Sequence, residues 1–450
     1  MASKSKFSLP PNLPKLPEGW SWKALGELVN DERSICYGIV QPGKHDENGV
    51  QMVNSGDILD GLRGHEISFK VARSIHEKFK RSTLKGGEIL LTLVGANFGN
   101  VSIAPDDYAG FNCSRPVGVI PVQSDAEYIS IAMQTPLVRY YLNSWVNTTA
   151  QPTLNLSDVA NLPIAWADKQ ARDLVVNHIS GVSKKINVNT QINHTLEQMA
   201  QAIFKSWFVD FDPIKAKMNG EQPEGMDAAT ASLFPEKFVE SELGLIPEGW
   251  DAGTVGSVTA AKGGYAFKSK QFVDEGNPVI KIKNITSAGT VTTSDCQCVD
   301  DDIAKTASRF KLSDGDLLMA MTGATVGKSG IYVSDGRDGY LNQRVARFES
   351  KVDSTQPCWF TYNLVNKDSI FEQIVGAAQG SAQPNISSKG IEQVKTVIPT
   401  FDLISKYQEL VAPLYAKWIS NFRENSQLSE LRDTLLPKLL SGEIELGEQS

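Results

Sequence analysis

The residues best spaced for phosphate chemistry are Gly323-Ala-Thr-Val-Gly-Lys-Ser329. A phosphate-cradling loop points backbone N–H groups and a lysine ammonium at the anion, and it needs four residues between its glycines. This stretch has three, and a sister stretch, Gly95-Ala-Asn-Phe-Gly-Asn100, has no lysine. A glycine turn between two strands accounts for both. Methyl transfer to a base amine would call for an Asn/Asp-Pro-Pro-aromatic tetrapeptide. Phe211-Asp-Pro-Ile214 lacks the second proline and the ring. The five histidines, His45, His65, His76, His178 and His194, do not group with acids or cysteines at metal-ligand spacing. Cys296-Gln-Cys298 has one intervening residue and no second pair. Neither a Gly-x-Ser-x-Gly elbow nor a glycine-rich strand-to-helix turn for a dinucleotide is written anywhere. The expectation is a chain with no catalytic residue and no metal site of its own.

Composition sets the frame for that expectation. At 450 residues the chain exceeds one ordinary core, so two or three domains are expected. The 41% hydrophobic and 21% charged content is that of a folded, soluble chain. Five scattered cysteines, Cys36, Cys113, Cys296, Cys298 and Cys358, read as reduced thiols in the cytoplasm. Met1 to Lys15 is polar and Pro-rich, without the apolar run of a leader, and no stretch suits a bilayer span. The net charge of −8 speaks at first against a nucleic-acid partner. Its distribution weakens that objection. Residues 212–248 hold eight acids against three bases, whereas 251–380 hold fifteen against fourteen. A nearly neutral block can present a basic face.

The chain is written twice. Leu16-Pro-Glu-Gly-Trp20 returns as Ile246-Pro-Glu-Gly-Trp250. Gly86-Gly-Glu-Ile-Leu-Leu-Thr-Leu-Val-Gly95 returns as Asp314-Gly-Asp-Leu-Leu-Met-Ala-Met-Thr-Gly323. Arg115 in Phe-Asn-Cys-Ser-Arg matches Arg344 in Leu-Asn-Gln-Arg, and Ala150-Gln-Pro-Thr-Leu154 matches Ala382-Gln-Pro-Asn-Ile386. Each copy has a strand-rich block, with short β-type runs such as Ile89–Val94 and Leu317–Met321. A long helical pattern follows. In the first copy Ile179, Val182, Ile186, Leu196, Ala200, Ile203 and Trp207 recur three and four apart. The second gives Tyr407, Leu410, Leu414, Leu428, Leu431 and Leu435. Asn193 and Asn421 interrupt the two series at matching places, as a polar residue that fixes register in a coiled coil does. Pro413 and the polar positions Asn189, Lys417 and Glu424 make the heptads imperfect. The expected fold is therefore α+β. A mixed, strand-rich domain followed by a long helix is duplicated in tandem, and the two helices pair as an antiparallel coiled coil that holds the globular blocks apart.

Two diverged heads on a helical spacer should read two different short determinants at a fixed separation. Ala200-Gln-Ala-Ile-Phe-Lys-Ser-Trp-Phe-Val-Asp-Phe-Asp-Pro213 resembles the central conserved region of the specificity subunits of type I DNA restriction–modification enzymes. Leu233-Phe-Pro-Glu-Lys-Phe238, Gly244-Leu-Ile-Pro-Glu-Gly-Trp250 and Leu431-Arg-Asp-Thr-Leu-Leu-Pro-Lys-Leu-Leu-Ser-Gly-Glu-Ile444 continue the likeness. It implies an N-terminal tail (1–15), target-recognition domains at 16–165 and 246–399, a central conserved helix at 166–212 and an acidic Pro/Glu linker at 213–245. A C-terminal conserved helix and tail would occupy 400–450. The resemblance also implies partners that carry the missing chemistry. Two modification subunits would bring S-adenosylmethionine and methylate adenine, and a restriction subunit would bring ATP and Mg to cleave double-stranded DNA. Trp207, Phe208 and Phe211 are candidate docking anchors, with burial in the helix pair as the other reading. The alternative function is a duplicated protein-binding adaptor without DNA recognition.

Phosphates are held by Lys and Arg, and base edges are read by Arg, Asn, Gln and Lys. In the first head the candidates are Asn54, Ser55, Arg63, Asn97 and Arg115, with Lys78, Lys80, Arg81 and Lys85 as a run along the backbone. In the second they are Lys281, Lys283, Asn284, Thr325, Lys328, Gln343 and Arg344, with Lys262, Lys268 and Lys270 as a further cluster. A repeated Arg at 115 and 344 could instead be a structural ion pair. Positions that differ between copies, such as Asn100 against Lys328, are candidates for a difference in base choice.

Overall fold

The computed structural model describes residues 7–30, 32–58, 67–95, 98–145, 153–353, 357–378 and 384–441. They form two compact units, Met1–Asn187 with Leu428–Ser450, and Val188–Gln427.

In the first unit, β1 (Ser21–Ala24) pairs antiparallel with β9 (Pro163–Trp166). Between them, β2 (Cys36–Tyr37), β5 (Ile89–Thr92), β6 (Val101–Ile103) and β8 (Val117–Ile120) build a sheet of order β2-β8-β5-β6. β3 (Val50–Val53), β4 (Lys70–Val71) and β7 (Asn112–Cys113) build a second, of order β4-β3-β7. Strand β5 is buried along its whole length, which is why Ile-Leu-Leu-Thr reads as a continuous run rather than an alternating one.

The strands of the second unit begin with the hairpin β10 (Phe238–Ser241) and β11 (Gly244–Pro247), then repeat the plan. β12 (Asp251–Thr254) pairs with β21 (Lys395–Ile398). β13 (Thr259–Gly263), β17 (Leu317–Ala320), β18 (Ser329–Ile331) and β20 (Val345–Ser350) give the order β13-β20-β17-β18. β14 (Phe272–Val273), β15 (Asn277–Ile280), β16 (Gln297–Val299) and β19 (Tyr340–Leu341) give β14-β16-β15-β19. The parallel pairing of β3 with β7 recurs as β15 with β19. One repeated sequence has become one repeated topology.

Each strand block feeds a long helix, Lys169–Phe208 (the central helix) and Phe401–Ser441 (the C-terminal helix). Within the second unit their partners run in opposite directions. Asn189 donates to Glu424 Oε2 at 2.9 Å, Asn421 donates to Asn193 Oδ1 at 2.9 Å, and the Tyr407 hydroxyl donates to the Ala200 carbonyl at 3.1 Å. The pair is therefore an antiparallel coiled coil. Asn193 also donates to the Trp418 carbonyl at 3.1 Å, and Asn425 joins Asn189 and Thr190. In the first unit Val175 and Ile179 share a core with Leu436, Leu439 and Leu440.

The C-terminal seam differs from the heptad reading. Tyr407, Val411, Tyr415, Trp418 and Asn421 are buried, whereas Leu410 and Leu431 are each 47% exposed. Leu410 sits one residue before Val411, about 100° around the helix from the seam, and aromatic Tyr and Trp fill the seam instead. Asn421 thus satisfies the buried Asn193 amide oxygen, while its own Oδ1 has no hydrogen-bond partner among the described residues. Asn421→Leu is expected to lower the free energy of unfolding by about 1–3 kcal/mol, because the Asn193 amide is left buried without its partner. The double change Asn193→Leu with Asn421→Leu should recover part of that loss and weaken register selection. Urea midpoints for both variants check this.

Residues 213–245, expected as a linker, are built into the second unit. The helix Asp212–Met218, the helix Ala228–Ser232 and the β10–β11 hairpin lie there, and Phe234 is buried against Trp207 with ring centroids 5.2 Å apart.

Candidate nucleic-acid interface

In each head three segments meet at one end of the first sheet. One is the glycine hairpin after β5 or β17. The second is the turn between β7 and β8, or between β19 and β20. The third is the chain leading into the short helix Leu156–Ala160 or Ser388–Glu392. In the first head Leu93 N–H donates to the Pro116 carbonyl (2.7 Å) and Leu154 N–H to the Leu93 carbonyl (3.3 Å). In the second, Met321 N–H donates to the Arg344 carbonyl (3.0 Å) and Ile386 N–H to the Met321 carbonyl (2.9 Å). The phosphate-loop lookalike is the β17–β18 hairpin. Gly323 (φ 80°) and Gly327 (φ 85°) have the left-handed backbone that favours glycine, as do Gly95 (φ 103°) and Gly99 (φ 80°) in the first copy.

These bonds correct one pairing. Arg115 N–H donates to the Ile39 carbonyl at 2.8 Å, and the equivalent bond is Gln343 N–H to the Tyr265 carbonyl at 3.0 Å. Gln343 therefore stands where the first head has Arg115, and Arg344 stands at Pro116. Residue identity had suggested Arg344; the hydrogen-bond register shifts it by one. Arg115, Gln343 and Arg344 are all exposed. Neither arginine makes an ion pair among the described residues, so the structural-pair explanation does not hold there. A guanidinium and a carboxamide at one geometric position can make different base contacts.

The other candidates divide. Lys78, Lys80, Arg81 and Lys85 are exposed, as are Lys262, Lys268, Lys270, Lys283 and Thr325. Lys283 donates to the Asp295 carbonyl at 2.9 Å. Lys281 lies 3.8 Å over the Phe272 ring and bonds Gln297, and burial followed by Lys283 pulls its ammonium below the ordinary lysine range. Lys328 and Ser55 are half-buried. Asn54 is also half-buried, and its N–H donates to Asp57 Oδ2 at 2.7 Å.

Asn284 is a correction. It is 1% exposed, and its Oδ1 accepts the Lys281 N–H at 3.0 Å, so it holds a turn and offers no edge to a ligand. Asn100 is similarly occupied, donating to the Ile58 carbonyl at 3.0 Å; the contrast with Lys328 is thus partly structural. Arg63 and Asn97 lie outside the described residues.

Two of the aromatic docking candidates are interior. Trp207 and Phe208 are 5% and 7% exposed, and Phe208 packs on Phe360, Tyr407 and Trp250 at centroid distances of 5.1, 5.3 and 5.9 Å. Phe211 is half-buried between Phe238 and Trp250. Their surface is used within the second unit, because the folded 213–245 stretch and the C-terminal helix cover it. Sequence reasoning passed over Asn385. It is exposed, bridges Thr322, and stands beside the Gly323 N–H bond to the Pro384 carbonyl (2.9 Å). The signal was the repeated Ala-Gln-Pro text, which ends at this position.

Residues 247–405 match the family model described as the type I restriction modification DNA specificity domain. The chain is 25% identical to the type I restriction enzyme HindI specificity subunit of Haemophilus influenzae, over 88% of this chain and 94% of that one. It is 24% identical to the MjaIX specificity subunit of Methanocaldococcus jannaschii, over 96% and 95% respectively. Its fold is similar to the crystal structure of a type I restriction–modification S subunit from M. genitalium. The TM-score is 0.50 at 15% identity, covering 96% of this chain and 98% of that one.

Proposed function

We infer that this chain, which belongs to the specificity subunits of type I restriction–modification enzymes, reads DNA sequence and carries out no catalysis itself. Each head reads one half of an asymmetric, two-part site in double-stranded DNA. The paired helices set the half-site spacing and dock two modification subunits, which bind S-adenosylmethionine and methylate adenine. In systems that also cleave, a restriction subunit joins and supplies the ATP- and Mg-dependent step. No helix among the described residues is long and apolar enough to cross a membrane, and a role on DNA places the work in the cytoplasm.

One observation carries the reading. The turn after β7 and the turn after β19 are held by equivalent hydrogen bonds, are exposed, and carry different polar side chains, Arg115 and Gln343. One scaffold with two readouts suits a non-palindromic target. The adaptor alternative is favoured by no particular observation.

Arg115→Ala is expected to weaken binding of the assembled complex to its target by about 1–3 kcal/mol, ten- to a hundredfold, if the side chain makes a good base contact. The unfolding midpoint of the free chain should not move, because the guanidinium makes no hydrogen bond or ion pair among the described residues. Fluorescence anisotropy with the methylated-motif duplex measures the first, and thermal melts the second. Unchanged affinity would remove Arg115 from the readout.

A further inference from the structure

We propose that the two heads grip the DNA backbone with different elements of their shared fold, the first with the helical segment 72–85 and the second with the connection 262–270. The proposal rests on the DNA-reading function inferred above and adds where its phosphate contacts lie.

The two segments have counterparts in the opposite head, so their charges can be compared place by place. In the first head the helices Arg73–His76 and Glu77–Ser82 lie between β4 and β5. In the second, Asp301–Thr306 and Ser308–Phe310 lie between β16 and β17. Equivalent bonds close both, Leu84 N–H to the Phe111 carbonyl (2.9 Å) and Leu312 N–H to the Gly339 carbonyl (2.8 Å). Residues 72–85 hold five bases and one acid, whereas 300–313 hold three of each. Lys78, Lys80, Arg81 and Lys85 are exposed and form no ion pair among the described residues. Two of the three bases in the counterpart segment are paired with acids, and Arg309 alone has no ion pair among the described residues. Asp300 caps the helix at the Ile303 N–H (2.8 Å), Lys305 pairs with Asp302 (3.3 Å), and Lys311 pairs with Asp338 (2.7 Å).

The end of β2 or β13 with the connection that follows shows the reverse. Residues 262–270 carry Lys262, Lys268 and Lys270 with no acid, and all three are exposed without an ion pair among the described residues. The first head has a single base, Lys44, over 36–44. Free positive charge has moved from one element to another between copies.

Both elements lean on the strand that leads into the exposed turn. In the first head Asn112, which opens β7, donates to the Phe79 carbonyl (3.2 Å) and accepts from the Ser82 hydroxyl (2.7 Å). In the second, Tyr265 N–H donates to the Leu341 carbonyl at 2.8 Å, at the end of β19. An unpaired ammonium or guanidinium beside a base-reading turn fits the phosphate oxygens flanking the base pairs read, since such contacts fix register and supply most of the salt-dependent affinity. Moving the cations to another element moves the phosphates they meet.

The test uses the full chain assembled with its modification subunits, bound to a short duplex that carries the motif found by methylation mapping. Phosphate ethylation interference is read in both half-sites. Changing Lys78, Lys80, Arg81 and Lys85 to Gln should remove interference in the first head's half-site alone; Lys262→Gln with Lys268→Gln and Lys270→Gln should remove it in the other. Each lost contact should lower the slope of log affinity against log salt by about 0.9, so the fourfold variant should lose about 100-fold of the salt sensitivity between about 50 and 200 mM. Asp302→Lys supplies a gain that a folding defect cannot mimic. It should create new ethylation-sensitive phosphates in the second half-site, where the unaltered segment gives none. Interference at the same phosphate positions in both halves, or variants that leave it unaltered, would overturn the proposal. Failure of the unaltered complex to bind the duplex would overturn the DNA-reading function, and this inference with it.

Discussion

Trp207→Ala is expected to cost the free chain about 3–5 kcal/mol of stability, the range for removing a buried tryptophan side chain. Trp207 is 5% exposed, with Phe234, Phe208 and Tyr407 around its ring at 5.2, 6.0 and 6.1 Å. These neighbours come from the 213–245 stretch, the central helix and the C-terminal helix, so the ring joins three parts of one core. Exposure on a partner-facing surface would give the opposite pattern. A docking anchor changes assembly with the modification subunits and leaves unfolding of the isolated chain unaltered. Chemical denaturation of the chain alone separates the two: a midpoint unchanged by the substitution would mean that the ring belongs to an interface.

Glu88→Ala should destabilise the first unit by about 1–3 kcal/mol, because the half-buried Arg33 and the Lys85 N–H both lose their charged partner. Glu88 is 3% exposed; it accepts from Arg33 at 2.5 Å and from the Lys85 N–H at 2.8 Å. Arg33 also donates to the Thr83 carbonyl at 3.0 Å, which ties the start of the chain to the approach of β5. The repeat supplies an internal control. Asp316 occupies the place of Glu88 and accepts the Ser313 N–H at 2.8 Å, but its arginine, Arg347, is 3.8 Å away and also bonds Glu349. Asp316→Ala should therefore cost less than Glu88→Ala. Equal losses would show that the backbone bond, and not the ion pair, carries the effect.

Much of the architecture was legible because duplication writes the same constraint twice. The glycine hairpins, the buried strands β5 and β17, and the seam asparagines each appear at matching places, and Asn193 and Asn421, 228 residues apart, bond each other. Identity alone failed where geometry sets the equivalence. Arg115 aligned with Arg344 by residue type, whereas the backbone bonds make Gln343 its counterpart. Burial was the harder quantity. Asn284 looks like a base reader in sequence but is enclosed, since a carboxamide serves a turn as readily as a base edge. Trp207 and Phe208 look like interface aromatics because nothing local announces that 213–245 folds over them. Leu410 and Leu431 look like seam residues because a leucine series is read more readily than the Tyr and Trp that line the seam. Basic residues could be found in sequence, but not which of them were free of an acid.

The central claim is that this chain reads a two-part DNA site for an adenine-modifying complex. Mapping adenine methylation across the source genome by single-molecule sequencing, with and without this gene, tests it directly. The account predicts that one asymmetric motif, made of two specified halves around an unspecified spacer, loses its methylation when the gene is deleted. Methylation that stays unchanged on deletion would contradict it.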